Sequence, residues 1–233
     1  MRRVQRLRFE VFNLELGEGL DDSRREGLDR DEFDLVCDHL MVEDERTEDL
    51  VGTYRMQPAS RGAADLYCAR EFDLRGLPSA VLRDGIELGR AAVARGHRNG
   101  LALFALWRGL AAYATWRRAR FLFGCSSLTS QDEALGWRVY AQLRGQGRLF
   151  SGVHVSPWPS FACVRPRPAG QSGAIALPRL FRTYLRYGAR ACGPPAIDRA
   201  FKTIDFLTLL DLEGLSPRLR GLFFEGLEAE VQA

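Results

Sequence analysis

The stretch Ile86-Glu87-Leu88-Gly89-Arg90-Ala91-Ala92-Val93, followed by Arg95-Gly96-His97-Arg98-Asn99-Gly100 and a long amphipathic segment from Leu101, decides the fold. Its first part is an extended, apolar-rich run carrying a carboxylate and a guanidinium three residues apart. A strand that ends in a basic, glycine-containing loop and opens a helix can hold a phosphate, because the free N–H groups of the helix start point at the ligand. Glu87 stands beside that junction, where a carboxylate can take a proton from an attacking amine. Phosphate grip and base together suit acyl transfer from a phosphopantetheine thioester.

Outward from this junction, Leu103, Leu106/Trp107, Leu110 and Tyr113/Ala114 recur at helical spacing and predict a helix over Leu101–Trp116. Arg120–Ser126 follows as a compact apolar strand, Gln131–Gln142 as a helix N-capped by Ser130, and Val153–Val155 as a short strand. Upstream, residues 2–16 read as a helix. Asp34–Val42, Leu50–Met56 and Leu66–Glu71 read as extended segments, and the acidic turn between the first two suggests an antiparallel meander. Downstream, Pro157 to Pro168 is a connector, Pro178–Cys192 a basic amphipathic helix and Asp205–Leu212 a short apolar segment. Pro217–Val231 reads as a last helix, with Ser216 as N-cap and proline at its first position. This order predicts an α/β (α+β) fold: a mixed, mainly antiparallel central sheet with helices on both faces. Residues 1–156 would form the core, and 157–233 a Pro-rich connector and C-terminal helical extension packed on it. Strand, phosphate-binding loop and helix in this order resemble the acyltransferase fold of the GNAT superfamily.

Composition narrows the classes. A formal net charge of +3 over 233 residues does not point to nucleic acid. Charge is unevenly spread, with sixteen acidic residues against four basic ones between Glu10 and Leu50, and a basic excess from Arg83 to Arg120 and from Arg179 to Lys202. Such a split suits an anionic partner at one end and a cationic substrate at the other; a merely solvated surface is the plain alternative. Five widely spaced cysteines with no Cys/His cluster indicate neither a disulfide framework nor a metal site, and fit a reducing, cytoplasmic setting. No secretory signal and no apolar run of membrane-spanning length is read.

A more specific resemblance rests on motifs in order: Arg8-Phe9-Glu10-Val11-Phe12, Asp29-Arg30-Asp31-Glu32-Phe33-Asp34, Val51-Gly52-Thr53-Tyr54-Arg55 and Glu87-Leu88-Gly89-Arg90. This series resembles the acyl-homoserine-lactone autoinducer synthases, a GNAT branch that uses acyl carrier protein, although no tryptophan follows Phe12 where those synthases usually carry one. A longer match runs through Leu106-Trp107-Arg108-Gly109-Leu110, Leu122-Phe123-Gly124-Cys125-Ser126-Ser127, Tyr184-Leu185-Arg186-Tyr187-Gly188-Ala189 and Pro194-Pro195-Ala196-Ile197-Asp198-Arg199-Ala200-Phe201 to Asp205-Phe206-Leu207. Over nearly the whole chain this resembles the bacterial N-acyl amino acid synthases and ornithine-lipid N-acyltransferases, sequences often labelled hemolysin-like.

The resemblance implies attack by the α-amine of an amino acid, preferably ornithine, on a long-chain (3-hydroxy)acyl thioester. The co-substrate would be the acyl-phosphopantetheine of acyl carrier protein, with no tightly bound cofactor and no metal. Glu87 would be the base, its alternative being a salt bridge with Arg90 or another arginine; Tyr140 would protonate the leaving thiolate. Arg8, Phe12, Asp31, Asp34, Arg55 and Arg90 would order the substrate site. Arg95, His97, Arg98, Asn99, Gly100 and Arg108 would meet the phosphopantetheine or its carrier. Arg98 stands where the usual GNAT loop has its middle glycine, which suits a carrier-bound donor better than coenzyme A. Cys125, Ser126 and Ser127 have no evident base and read as packing rather than as nucleophiles. The basic helix Pro178–Cys192 suits either docking on the core or peripheral contact with the inner membrane. The rival readings are an autoinducer synthase and a non-enzymatic, membrane-active protein.

Overall fold

The computed structural model describes residues 1–165 and 173–227, so the expected last helix beyond 227 and the connector from 166 to 168 lie outside the described residues. Its sheet is built from β1 (Asp38–Glu43), β2 (Leu50–Pro58), β3 (Gly85–Val93), β4 (Phe121–Leu128), β5 (Arg190–Ala191), β6 (Ala196–Asp198) and β7 (Thr203–Asp211). The strands run in the order β1-β2-β3-β4-β7-β5, with β6 also on β7. Only β3 and β4 are parallel; every other pair is antiparallel. The helices are α1 (Arg2–Phe9), α2 (Ser23–Glu26), α3 (Ser79–Asp84), α4 (Leu101–Arg117), α5 (Glu133–Gly145), α6 (Arg179–Tyr187) and α7 (Pro217–Phe224), and a wider π-type turn, Glu10–Leu16, continues α1.

Strand alternation gives the sheet two distinct faces. Tyr54, Met56, Ile86, Leu122 and Leu210 meet Leu106, Trp107 and Leu110 of α4 and Phe223 of α7. Phe121, Phe123, Leu207 and Leu209 point the other way, onto Leu66, Phe72, Val81 of α3 and Val155. By the same alternation Arg55, Gln57 and Glu87 belong to this second face. The N-cap of α4 is Gly100, at φ +105°, and the side chain of Asn99 just before it accepts from Leu101 N at 3.0 Å. Complete burial of Leu106 makes this helix the main support of the first face, and truncation of such a residue to Ala costs about 2–5 kcal/mol.

Several expectations are corrected. Leu66–Glu71 is not extended: Tyr67–Arg70 is a 3-10 turn. Burial of Leu66 and Cys68 imitates strand alternation, but the Tyr67 and Cys68 amides bond to the Glu87 carboxylate instead of to a neighbouring strand. The first meander strand begins at Asp38, because Glu32–Leu35 is a 3-10 turn capped by the Asp31 side chain, which accepts from Phe33 N at 3.0 Å. Val153–Val155 forms no strand, although Val155 N donates to Cys192 O at 2.9 Å. The N-cap of α5 is Asp132 rather than Ser130. Residues 157–233 carry two described helices and also three strands, which the helical expectation lacked. Among these strands β7 pairs with β4 from Phe121↔Asp211 to Leu128↔Ile204 and so is an inner strand, flanked on its other side by the short β5 and β6.

Candidate active site

Parallel pairing of β3 with β4 covers only Gly85↔Phe121, Ile86↔Leu122 and Glu87↔Phe123. Beyond it β3 continues to Val93 on β2, and β4 continues to Leu128 on β7. At the point of divergence Gly124 is required, since a Cβ there would lie 2.1 Å from the Leu88 carbonyl oxygen. Past that contact the facing backbone edges have no strand partner, and a cavity of about 250 Å³ occupies the gap. Leu88 to Ala91 line it from β3, and Gly124 to Ser127 from β4. Tyr54, Trp107, Tyr184 and Leu210 give it an apolar wall on the α4 face, while Arg55, Gln57, Glu87 and Asp205 give it a polar wall on the other.

Five of the sequence-predicted residues converge in one buried ion network. Arg8 pairs with Asp34 at 2.7 Å and with Asp29 at 2.8 Å. Arg55 pairs with Asp31 at 2.5 Å and Asp34 at 3.2 Å. Arg90 pairs with Asp31 at 3.1 Å and Asp29 at 3.3 Å. Arg90 is left-handed, at φ +50°, where the β2–β3 register shifts; this irregularity turns it into the network. Its guanidinium lies over the rings of Phe201 and Tyr67, at 4.2 and 4.8 Å. Burial alone would push the Asp34 carboxyl up, but hydrogen bonds and charge from Arg8, with help from Gln5 and Arg55, hold it at about 2.

Glu87 has a different environment. Its two oxygens accept from Tyr67 N at 2.8 Å and Cys68 N at 2.7 Å, so it fixes the turn after β2 instead of pairing with an arginine. Burial raises its pKa, and the Cys68 and Tyr67 donors and the charge of Arg55 oppose that rise. Phe12 lines the cavity edge-on to Phe201, with ring centroids 5.4 Å apart. Ser126 bonds Thr208 at 2.8 Å, and burial drives the Cys125 thiol well above its ordinary pKa, in keeping with packing roles.

The remaining predicted residues lie outside the cavity lining. Tyr140 sits on α5, edge-on to Trp137 at 5.6 Å, within the α5–α6–β7 cluster. His97 faces Asp44 at 3.3 Å and Arg98 faces Glu15 at 2.9 Å in the loop before α4, while Arg95 is exposed there. Arg108 donates to the carbonyls of Phe223 at 3.3 Å and Glu225 at 2.8 Å, tying α4 to the end of α7. Residues without an assigned role in the sequence reading complete the site: Asp29, Tyr67, Glu18, Glu71, Asp198 and Asp205. Glu18 lines the cavity and accepts from the Thr129 hydroxyl; burial raises it to about 7, against that hydrogen bond and with the charge of Asp205. Asp29, Asp198 and Asp205 stand inside the quoted motifs, where a role was legible in principle; nothing in the sequence marks Glu71.

The family model of the acetyltransferase (GNAT) domain matches residues 7–108. An L-ornithine N(alpha)-acyltransferase of Rhodobacter capsulatus is 32% identical, over 98% of this chain and 92% of that protein. One of Brucella abortus is 30% identical, over 98% and 86%. Among solved structures, that of a CoA-dependent acyl-homoserine lactone synthase, BjaI, with SAM and isopentyl-CoA matches with a TM-score of 0.50 at 14% identity, covering 99% of this chain and 81% of that one. A sheet opened between its two parallel strands, with a cavity in the opening, defines an acyltransferase of the GNAT type. Within that class, the chain belongs to the L-ornithine N(alpha)-acyltransferase family.

Proposed function

We propose that this protein moves a long-chain (3-hydroxy)acyl group from the phosphopantetheine thioester of acyl carrier protein to the α-amine of ornithine, giving an N-acyl amino acid and a free carrier thiol. The observation that carries this reading is the opening between β3 and β4, which has apolar walls on one face and Glu87 with a dense carboxylate set on the other. The acceptor is taken from the names of the relatives. The acyl chain lies along Tyr54, Trp107, Tyr184 and Leu210, and the thioester carbonyl sits between the separated strands. Unpaired backbone N–H groups there stabilise the tetrahedral oxyanion. Glu87, held by two amides, retains lone pairs to take the ammonium proton directly or through water. The arginine–aspartate network keeps β3 and the Tyr67 turn in place, so that Glu87 is aimed before substrate arrives.

The donor loop is Arg95 to Gly100 at the start of α4, which meets the single phosphodiester of a carrier-bound arm and the acidic carrier surface. The acidic carrier and the free amino acid place the reaction in the cytoplasm. No described helix is long and apolar enough to cross a membrane. Phe181 and Leu185 of α6 are buried and the Tyr184 hydroxyl bonds that of Tyr54, which supports docking of this helix on the sheet over insertion into lipid.

Purified protein incubated with 3-hydroxyacyl carrier protein and an amino acid mixture tests the reading by mass spectrometry. Acyl-ornithine is the expected product. A homoserine lactone formed from S-adenosylmethionine would move the protein to the autoinducer synthases, and vesicle lysis without acylation would remove the enzymatic reading.

A further inference from the structure

Three carboxylates from distant parts of the chain meet beside the cavity. Glu71 follows the 3-10 turn after β2, Asp198 ends β6 and Asp205 lies in β7. One oxygen of each lies within 4.8 Å of the others, and the three residues are 1%, 7% and 3% exposed. Asp205 lines the cavity, together with Thr203 and Phe201. Some of their oxygens are satisfied: Asp198 accepts from Phe201 N at 2.8 Å and from the Tyr67 hydroxyl at 3.2 Å, and Asp205 Oδ2 accepts from Thr203 at 2.9 Å. Glu71 Oε1, Glu71 Oε2 and Asp205 Oδ1 are buried and accept no hydrogen bond. A buried acceptor left unmade costs about 1–3 kcal/mol, more when it is charged. Among the described residues the nearby cations are engaged elsewhere, Arg90 with Asp29 and Asp31 and Lys202 with Asp21.

We infer that Glu71, Asp198 and Asp205 receive the side-chain ammonium of the amino acid acceptor, and that this site sets the preference for a cationic amino acid. An ammonium brings three N–H donors and no acceptor, matching the three unmet oxygens. Burial, then the charges of Asp205 and Asp198, raises the Glu71 carboxyl, and burial with the charge of Asp198 raises Asp205 to about 6 against hydrogen bonds from Ser127 and Thr203, so full ionisation of the cluster is unfavourable until a cation enters. The position also fits the reaction. Glu87 of β3 holds the amides of Tyr67 and Cys68, and Glu71 follows the same turn, so the short segment that carries Glu71 is anchored on Glu87. Glu87 and Asp205 line the same cavity, so an acceptor held there can present its α-amine to the first and its side-chain ammonium to the second.

The inference rests on the acyltransferase reading, and substrate preference tests it separately. The kcat/KM of the wild type, Asp205→Asn and Glu71→Gln is measured for ornithine and for norvaline, which has the same carbon chain without the terminal amine. The wild type should favour ornithine by about 10²-fold or more, since a site built to bond a polar group rejects the analogue that lacks it. In both variants this ratio should collapse toward unity, chiefly through a raised KM for ornithine. If each variant lowers the two substrates by the same factor, the cluster is structural and the inference falls while the acyltransferase reading stands. If Mn²⁺ or Mg²⁺ raises the melting temperature of the wild type but not of Asp205→Asn, the cluster holds a metal and the ammonium assignment falls. Acylation of no amino acid at all overturns both readings.

Discussion

The Tyr67 hydroxyl donates to Asp198 Oδ2 at 3.2 Å, joining residues 131 positions apart. Tyr67 is the hub between two halves of the site, because its backbone N–H also donates to Glu87 at 2.8 Å and its ring lies under Arg55 and Arg90. Removal of the hydroxyl in Tyr67→Phe should leave the Glu87 contact intact and loosen Asp198. Acceptor KM should rise several-fold with kcat nearly unchanged, and stability should fall by about 1 kcal/mol. Steady-state kinetics with ornithine varied, together with urea denaturation, reads both effects.

Glu87→Gln separates base from anchor. As the base, Glu87 lost to Gln should lower kcat by about 10²-fold or more. The amide keeps one acceptor oxygen for the turn and presents donors where Tyr67 N or Cys68 N now donates, so stability should also fall by about 1–3 kcal/mol. Near-normal kcat with that same loss of stability would reassign Glu87 to holding the turn.

Asp34 stands between Arg8 and Arg55, and Asp34→Asn leaves two buried guanidinium groups short of charge. Breaking such a network from one side costs about 3–5 kcal/mol at pH 7. The sign with pH follows from the depressed carboxyl. With a folded value of about 2 against an ordinary 3.8, the stabilisation is present above 3.8 and is lost as pH falls through about 2. Denaturation midpoints of wild type and variant should therefore lie well apart at pH 7 and draw together below pH 3.

Glu18 behaves in the opposite sense. Burial raises it from 4.5 to about 7, so its stability contribution is fully present below 4.5 and is lost as pH rises through 7. A difference of that size corresponds to about 3 kcal/mol as an upper bound. Glu18→Gln should raise the calorimetric melting temperature at pH 8 and leave it nearly unchanged at pH 4. A lower melting temperature at pH 8 would mean that the bond from Thr129 outweighs the burial of charge.

The junction of β3, loop and α4 is legible in the sequence because local periodicity encodes it: an apolar extended run, a glycine-containing loop and Leu106, Trp107 and Leu110 at helical spacing. Arg8, Asp31, Asp34, Arg55 and Arg90 are legible as a set because each lies in a short ordered motif, and they meet as ion pairs. Where reading fails, non-local partners decide. Leu66 and Cys68 carry the burial pattern of a strand, yet a carboxylate from β3 takes the amides between them. Asp205–Leu212 reads as a short apolar piece, since a strand buried on both faces shows no alternation to mark it as an inner strand of a sheet. The carboxylate cluster joins Glu71 to residues more than a hundred positions later, and no local pattern encodes such a meeting.

Pairing of β4 with β7 over eight residue pairs has a consequence for biosynthesis. A nascent chain that has presented everything through α5 already owns Glu87, the arginine–aspartate network and the start of α4. It has no strand to lie along the outer edge of β4 and no Asp198 or Asp205. Contacts this far apart in sequence carry a high loop-closure cost and form late. The proposed base and donor loop are thus synthesised early, while Tyr184 and Leu210 of the apolar wall and the proposed acceptor pocket wait for α6 and β7, so an incomplete chain leaves the β4 edge unpaired, the kind of exposed edge that favours aggregation.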